Sequence, residues 1–489
     1  MRLKLLYFLG VPKNVAAVVD SSAPHGRPAG LTPRWWHSVA LFGPAFVAAI
    51  AYVDPGNVAA NLTSGAQFGY LLVWVLVLAN AFAVLIQYQS AKLGVVTGRT
   101  LPELLGSRAR PWTRRAYWLQ AEVVAAATDV AEVIGGAIAL NLLFGLPLVV
   151  GGLIVGVVSL GLLLAQAARR QRTFEFVIVG LLAVIAIGFL AGTFVAPIDW
   201  PAAAEGLVPR FDGTQSVLLA ASMLGATVMP HAIYLHSGLA RDRHHAELAH
   251  AAESGTAVHP GAAEPAAGPA APSVAGAGVG TGVDTGVEAG TGVGAPGPRF
   301  AAEPSRLRTL LRATKGDVVG ALVVAGAVNI AMLLLAAAAL RGVEGTDSIP
   351  GAYQAIQAAL GPVVATVFAI GLLASGLAST SVGAYAGSVI MAGLLRVRVP
   401  LLARRAVTLI PALVILALGV DPTYALVLSQ VLLSIGIPFA LVPLFRLTGD
   451  RALMGEFADG TVKRVVAWTV VALIVALNLV LIVLALTGA

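Results

Sequence analysis

The 489-residue chain has no cysteine, and charged residues make up only 11% of it. Without thiols, disulfides, iron-sulfur clusters and thiolate metal sites are all excluded, so a soft metal ligand has to be one of the six methionines. So little charge beside 58% hydrophobic residues excludes a soluble globular protein. No His-Glu-x-x-His is present, which argues against an intramembrane zinc hydrolase. The start, Met1 to Val11, is basic but carries too short an apolar stretch for a signal peptide.

What fills the chain instead is a succession of apolar runs. Stretches long enough to cross a bilayer fall near 38–66, 69–93, 116–143, 146–168, 174–195, 215–239, 317–340, 351–394, 402–420, 422–446 and 465–487, eleven in all. The 351–394 run is too long for one straight span, and its first part, residues 351–360, is expected to form an extracellular or interfacial helix. The formal net charge of +7 follows the same segmentation. With the N-terminus in the cytoplasm, all of the 31 Lys and Arg except Arg210 and Arg341 fall on inner segments. This asymmetry predicts an N-in, C-out topology in the cell membrane and makes the basic balance a topological signal, with no nucleic-acid partner implied.

Residues 1–36 read as a cytoplasmic tail. Residues 241–306 shift to Ala, Gly, Pro, Thr and Val without large side chains or periodicity, which predicts a disordered cytoplasmic loop. Its histidines, His244, His245, His250 and His259, read as solvated loop residues. The loop separates residues 37–240, with spans one to six, from residues 307–489, with spans seven to eleven. Such a division suits five plus five inverted repeats and one added helix.

Two of the runs are interrupted at their centres. The first carries Asp54-Pro55-Gly56-Asn57, a carboxylate, a helix breaker, a flexible residue and an amide at membrane depth. An acid placed there costs about 2.5 to 3.5 kcal/mol on insertion scales, which an ion, a proton or a charged partner offsets. Unwinding frees backbone carbonyls, and a cation bound by them together with Asp54 and Asn57 would satisfy the break; the alternative is a Pro-Gly kink with a protonated carboxylate. The second break, Ala226-Thr227-Val228-Met229-Pro230-His231, offers carbonyls, a thioether and an imidazole. A sulfur among oxygens would favour Mn²⁺ or Fe²⁺ over Mg²⁺ and Ca²⁺, although Met229 taken alone reads as core filling. His231 and His236 are five apart and do not share a helix face.

The third span carries Glu122, Asp129 and Glu132 at spacings of seven and three, a single stripe on one helix face. Three buried carboxylates cannot all stay ionised without counter-charges, which favours proton exchange. Arg404 and Arg405 are the natural counter-charges, and the alternative is a static ion-pair network between the third and ninth spans. Gln430 in the tenth span is an intramembrane amide whose plain reading is interhelical hydrogen bonding.

These stretches, with Thr128-Asp129-Val130-Ala131-Glu132, Leu373-Ala374-Ser375-Gly376-Leu377, Arg404-Arg405-Ala406-Val407-Thr408 and Leu428-Ser429-Gln430-Val431-Leu432, resemble the natural resistance-associated macrophage protein (Nramp) family, in particular its bacterial proton-coupled manganese transporters. The resemblance covers the chain outside residues 1–36 and 241–306. It implies an all-α membrane protein with a LeuT-type fold of eleven helices, the first and sixth broken at the midplane, acting by alternating access as a monomer without a cofactor. Carried over by motif, Asp54, Asn57, Ala226, Met229 and Gln430 would hold the metal, while Glu122, Asp129, Glu132, His231, Arg404 and Arg405 would serve the proton route. The implied activity is import of Mn²⁺ or Fe²⁺ with protons, and no enzymatic reaction. A symporter of the same architecture for an amino acid or other organic solute is the alternative. The chain departs from the family at Ala386-Gly387-Ser388, where relatives commonly carry Gln at the last position.

Overall fold

A computed structural model describes residues 44–167, 171–253, 304–346, 348–395 and 401–487. Every element among them is helical. In chain order these are α1 (Pro44–Ala49), a 3₁₀ turn (Ile50–Val53), α2 (Pro55–Phe68), α3 (Val73–Thr97), α4 (Leu101–Arg108), α5 (Pro111–Phe144), α6 (Leu148–Ala167), α7 (Gln171–Val195), α8 (Trp200–Glu205), α9 (Gly213–Thr227), α10 (Pro230–Glu253), α11 (Pro304–Ala339), α12 (Ile349–Leu360), α13 (Pro362–Leu395), α14 (Leu401–Ala417), α15 (Pro422–Thr448), α16 (Arg451–Met454) and α17 (Thr461–Thr487), with a 3₁₀ turn, Gly455–Phe457, before the last. Among the described residues, eight helices are long and apolar enough to cross a membrane, with α9 and α10 together counted as one of them.

Local chemistry sets the boundaries. Asp54, Thr100, Ser348 and Asp421 each accept a hydrogen bond from a backbone N–H of the first turn that follows, with proline in that turn, where its missing N–H costs nothing. The 351–394 run divides as expected. A glycine with φ of +91°, Gly361, separates α12 from α13.

Three boundaries differ from the sequence expectation. The first break is confined to the 3₁₀ turn and an extended Asp54, because Asp54 caps a helix that restarts at Pro55; Gly56 and Asn57 are already helical. The second is confined to Val228 and Met229, with Ala226 and Thr227 closing α9 and Pro230 opening α10. The stretch from residue 241, expected as loop, remains helical to Glu253, a segment rich in Ala, Glu, Arg and His that lacks Gly and Pro, and α11 starts at Pro304. Residues 1–36, the rest of the 241–306 segment and its His259 lie outside the described residues, as do the side chains of His244, His245 and His250.

At the core, α5 packs most extensively on α13, and α2 packs on α11. Small residues permit this closeness. A Cβ on Gly376 would lie 2.9 Å from the Gly136 amide nitrogen, and one on Gly135 would collide with the Pro55 ring. These contacts hold α5, with its acids, directly against the start of α2.

The two ends of the bundle differ in charge. Arg341 lies against Gly69, and the Arg210 carbonyl accepts from the Trp74 indole 3.3 Å away, so both isolated arginines sit at the α2–α3 end. The opposite end carries Arg108–Asp450, Arg241–Glu103, Arg308–Glu456 and the buried Lys92–Asp459 pair.

Candidate functional site

Asp54, Asn57, Ala226, Met229 and Gln430 are all fully buried. As N-cap of α2, the Asp54 carboxylate accepts on Oδ1 from the Asn57 backbone N–H at 2.8 Å and from its side-chain Nδ2 at 2.6 Å. The other oxygen, Oδ2, has no hydrogen-bond partner. Asn57 Nδ2 also donates to the Ala226 carbonyl at 2.9 Å, which ties the first break to the second. Thr227 Oγ1 lies 3.5 Å from Asn57 Oδ1 on the same side. Gln430 of α15 closes the group: a Cβ on Gly56 would collide with its amide, and its Oε1 is buried without a partner. The structure thus brings Asp54, Asn57, Ala226 and Gln430 together, with Met229 in the Val228–Met229 gap three residues on from Ala226.

Not all of the carbonyls freed by the first break wait for a cation. Asn329 of α11 donates to the Tyr52 carbonyl at 2.7 Å, and Ser375 of α13 donates to the Val53 carbonyl at 2.5 Å. At the site itself, the unpaired side-chain oxygens are those of Asp54 and Gln430. Sequence reasoning missed Asn329 and Ser375 as partners of the break. An amide in the seventh apolar run was a usable signal for Asn329.

Beside this cluster lies the acidic stripe of α5. Glu132 is buried, neither carboxylate oxygen has a hydrogen-bond partner, and Oε2 stands 3.2 Å from the Cβ position of Gly383 in α13. The charges acting on it are those of Asp129 and Asp54 on the acidic side and Arg405 on the basic side. Asp129 forms an ion pair with Arg405 of α14, Oδ1 to Nη1 at 3.0 Å, with both side chains at most 3% exposed. Arg405 Nη2 also donates to Ser159 of α6. His231 opens α10 with Nδ1 3.4 Å from Thr128 Oγ1, and its Nε2 is unpartnered. Glu122 lies two turns nearer the start of α5 and is partly exposed, so the stripe comes together at Asp129 and Glu132 and extends outward at Glu122. Arg404 shares α14, its side chain lying outside the described residues. His236 points elsewhere, to Gln87 of α3 at 2.8 Å, so the two histidines do not converge. Ser388 bonds within its own helix, to the Tyr385 carbonyl.

A carboxylate oxygen and an amide oxygen left unpaired at the meeting of two broken helices suit a bound cation, and the ion pair beside them suits charge movement. The fold and the site together define a multi-pass membrane transporter. The comparisons agree. The Natural resistance-associated macrophage protein-like family model matches residues 45–484. A divalent metal cation transporter MntH of Mycobacterium tuberculosis (strain CDC 1551 / Oshkosh) is 55% identical over 92% of each chain, and the Bacillus subtilis (strain 168) protein of the same name is 41% identical over 91% of this chain and 92% of its own. Among solved structures, the Eremococcus coleocola manganese transporter, in complex with an aromatic bis-isothiourea substituted compound, superposes with a TM-score of 0.72 at 29% identity, over 93% of this chain and 88% of that one. The chain belongs to the Nramp family, whose members transport metal ions and are not enzymes.

Proposed function

We propose that the protein imports Mn²⁺ or Fe²⁺ across the cell membrane together with protons, by alternating access of one central site. The observation that carries this reading is the pair of buried, unpartnered oxygens, Asp54 Oδ2 and Gln430 Oε1, where the two breaks are joined by Asn57 and Ala226. A dehydrated divalent ion supplies the positive charge that these oxygens lack. Asn57 Oδ1, the Ala226 carbonyl and the Met229 sulfur complete a mixed shell that discriminates against Mg²⁺ and Ca²⁺. The metal is the cargo, and its entry brings two positive charges next to Asp54.

Proton movement follows from the neighbouring charges. A divalent ion at Asp54 disfavours a proton there and acts on Glu132, whose oxygens are unpartnered and whose next neighbours are Asp129 and Arg405. Glu132, Asp129 and Glu122, with His231 beside them, then lead toward the cytoplasmic start of α5, with Arg404 and Arg405 at the inner end. The static alternative, a buried pair that only fastens α5 to α14, predicts proton transport that survives neutralisation of Asp129.

The wider frame of this reading is eleven spans, N-terminus in and C-terminus out. It takes α1–α2, α6 and α14 as spans beside the eight, and treats the first ten as five plus five inverted repeats in a LeuT-type arrangement. An organic-solute symporter is disfavoured by a specific contact: the α2 N-terminus that would receive a substrate carboxylate is already capped by the Asp54 carboxylate.

Uptake by purified protein in liposomes tests the proposal. With an imposed inward proton gradient, Mn²⁺ should enter faster than without it, carry protons along, and stop when Asp54 is replaced by Asn. Uptake of leucine without manganese, or manganese uptake indifferent to the gradient, would contradict it.

A further inference from the structure

Gln430 is carried by a helix that two prolines weaken. In an α-helix the N–H of each residue bonds the carbonyl four residues earlier, and proline has no N–H to give. Pro438 and Pro443 lie inside α15, so the carbonyls of Ser434 and Phe439 lose their helical donors. Both are served from other helices. Asn478 of α17 donates through Nδ2 to the Ser434 carbonyl at 2.7 Å, and Tyr234 of α10 points its hydroxyl at the Phe439 carbonyl, 3.4 Å away. Asn478 holds Ser434 a second time, its Oδ1 accepting the Ser434 hydroxyl in a short contact. Asn478 is buried, and so is Ser434.

Ser434 stands directly behind the site. It is one turn from Gln430, and a Cβ on Gly225 would lie 2.9 Å from the Ser434 Cβ and 3.1 Å from the Gln430 carbonyl oxygen. Gly225 immediately precedes Ala226, whose carbonyl receives the Asn57 amide. A shift of the Ser434 turn therefore displaces Gln430 relative to both Gly56 and the end of α9. A side-chain amide within an apolar helix, matched to a carbonyl that a proline has orphaned, is a substitute for the missing backbone bond.

We infer that Asn478 is a positioning residue for the metal site: it replaces the hydrogen bond that Pro438 denies Ser434 and so fixes the turn of α15 that presents Gln430. This rests on the reading of Gln430 as a metal ligand. It gives α17, the helix outside the repeats, a part in transport through α15.

The test is a set of Mn²⁺ uptake measurements in liposomes, separating KM from maximal rate. Asn478→Leu keeps the branching and the number of heavy atoms and removes both bonds, and it should raise KM about tenfold. Adding Pro438→Ala returns a backbone N–H to the Ser434 carbonyl and should restore KM, a rescue that a merely space-filling role for Asn478 does not predict. In a Gln430→Ala background, Asn478→Leu should add nothing to KM. A normal KM for Asn478→Leu, or no rescue by Pro438→Ala while Gln430→Ala is defective, overturns the inference alone. A normal KM for Gln430→Ala overturns the ligand reading beneath it. Should Asn478→Leu fail to reach the membrane, the double variant decides: folded protein with the wild-type KM supports the inference, and folded protein with a raised KM, or none, overturns it.

Discussion

Asp54 does two jobs with its two oxygens. Oδ1 caps α2 and gathers Asn57, while Oδ2 stays open toward the site. Replacing it by Asn preserves the cap, since Asn caps about as well as Asp, but removes the negative charge. Asp54→Asn should thus leave the folded protein intact and abolish Mn²⁺ binding in calorimetry; retained affinity would show that the charge is dispensable. Met229 acts by softness instead. Met229→Ala should let Ca²⁺ and Mg²⁺ compete about tenfold more effectively against Mn²⁺ in uptake assays, because only hard oxygens remain. Unchanged competition would make the sulfur a packing group. At this scale the sequence was legible wherever an intramembrane polar group is costly. It marked Asp54 and Asn57 because such groups need a reason at that depth, whereas Met229 entered through the second break and Gln430 through the family resemblance. It did not reveal that Asn329 and Ser375 would satisfy Tyr52 and Val53, because those partners are 277 and 322 residues away. A single chain read in order contains no distance information of that kind.

Elements are held together by contacts whose worth depends on burial. Lys92 of α3 meets Asp459, just ahead of α17, at 2.7 Å, with the side chains 5% and 3% exposed. Arg108 of α4 meets Asp450 at 3.0 Å, with the side chains 49% and 31% exposed. Removing one partner of a buried pair leaves an uncompensated charge and costs about 3 to 5 kcal/mol, whereas an exposed pair contributes about 0 to 1. Lys92→Met should accordingly lower the thermal midpoint in detergent far more than Arg108→Met, and equal shifts would refute the ranking. The Arg108 hydrogen bond also holds the Asp450 carboxyl below its ordinary value of 3.8. A depressed carboxyl stabilises above its unfolded value and loses that contribution as the pH falls through the folded one. Arg108→Met should therefore leave the pH dependence of stability unaltered between about pH 5 and 8. Helix limits were partly legible: the division of the 351–394 run after residue 360 was expected, and Gly361 makes it. The extent of the two unwound stretches was overestimated, because Asp54-Pro55 and Pro230 serve as helix openings as well as helix breakers.

The whole molecule has one end rich in Lys and Arg and one end where Arg210 and Arg341 are isolated among acids, which the proposed topology assigns to the cytoplasm and the exterior. The absence of cysteine makes this easy to examine. Val208 and Trp112, 59% and 80% exposed, belong to opposite ends, so an impermeant maleimide added to intact cells should label Val208→Cys and spare Trp112→Cys. The reverse pattern would invert the orientation. The all-helical membrane class was legible at this scale because apolar runs of bilayer length force helices, whereas the facing of the two breaks required the contact of Asn57 with the Ala226 carbonyl. That facing is the central claim: both breaks contribute ligands to one ion, oxygens from the first and a sulfur from the second. X-ray absorption at the manganese edge of the loaded protein tests it most directly. The account predicts a shell of oxygen neighbours with one sulfur that disappears in Met229→Ala. A shell of oxygen and nitrogen alone in the unaltered protein, or a sulfur that persists in the variant, would contradict it.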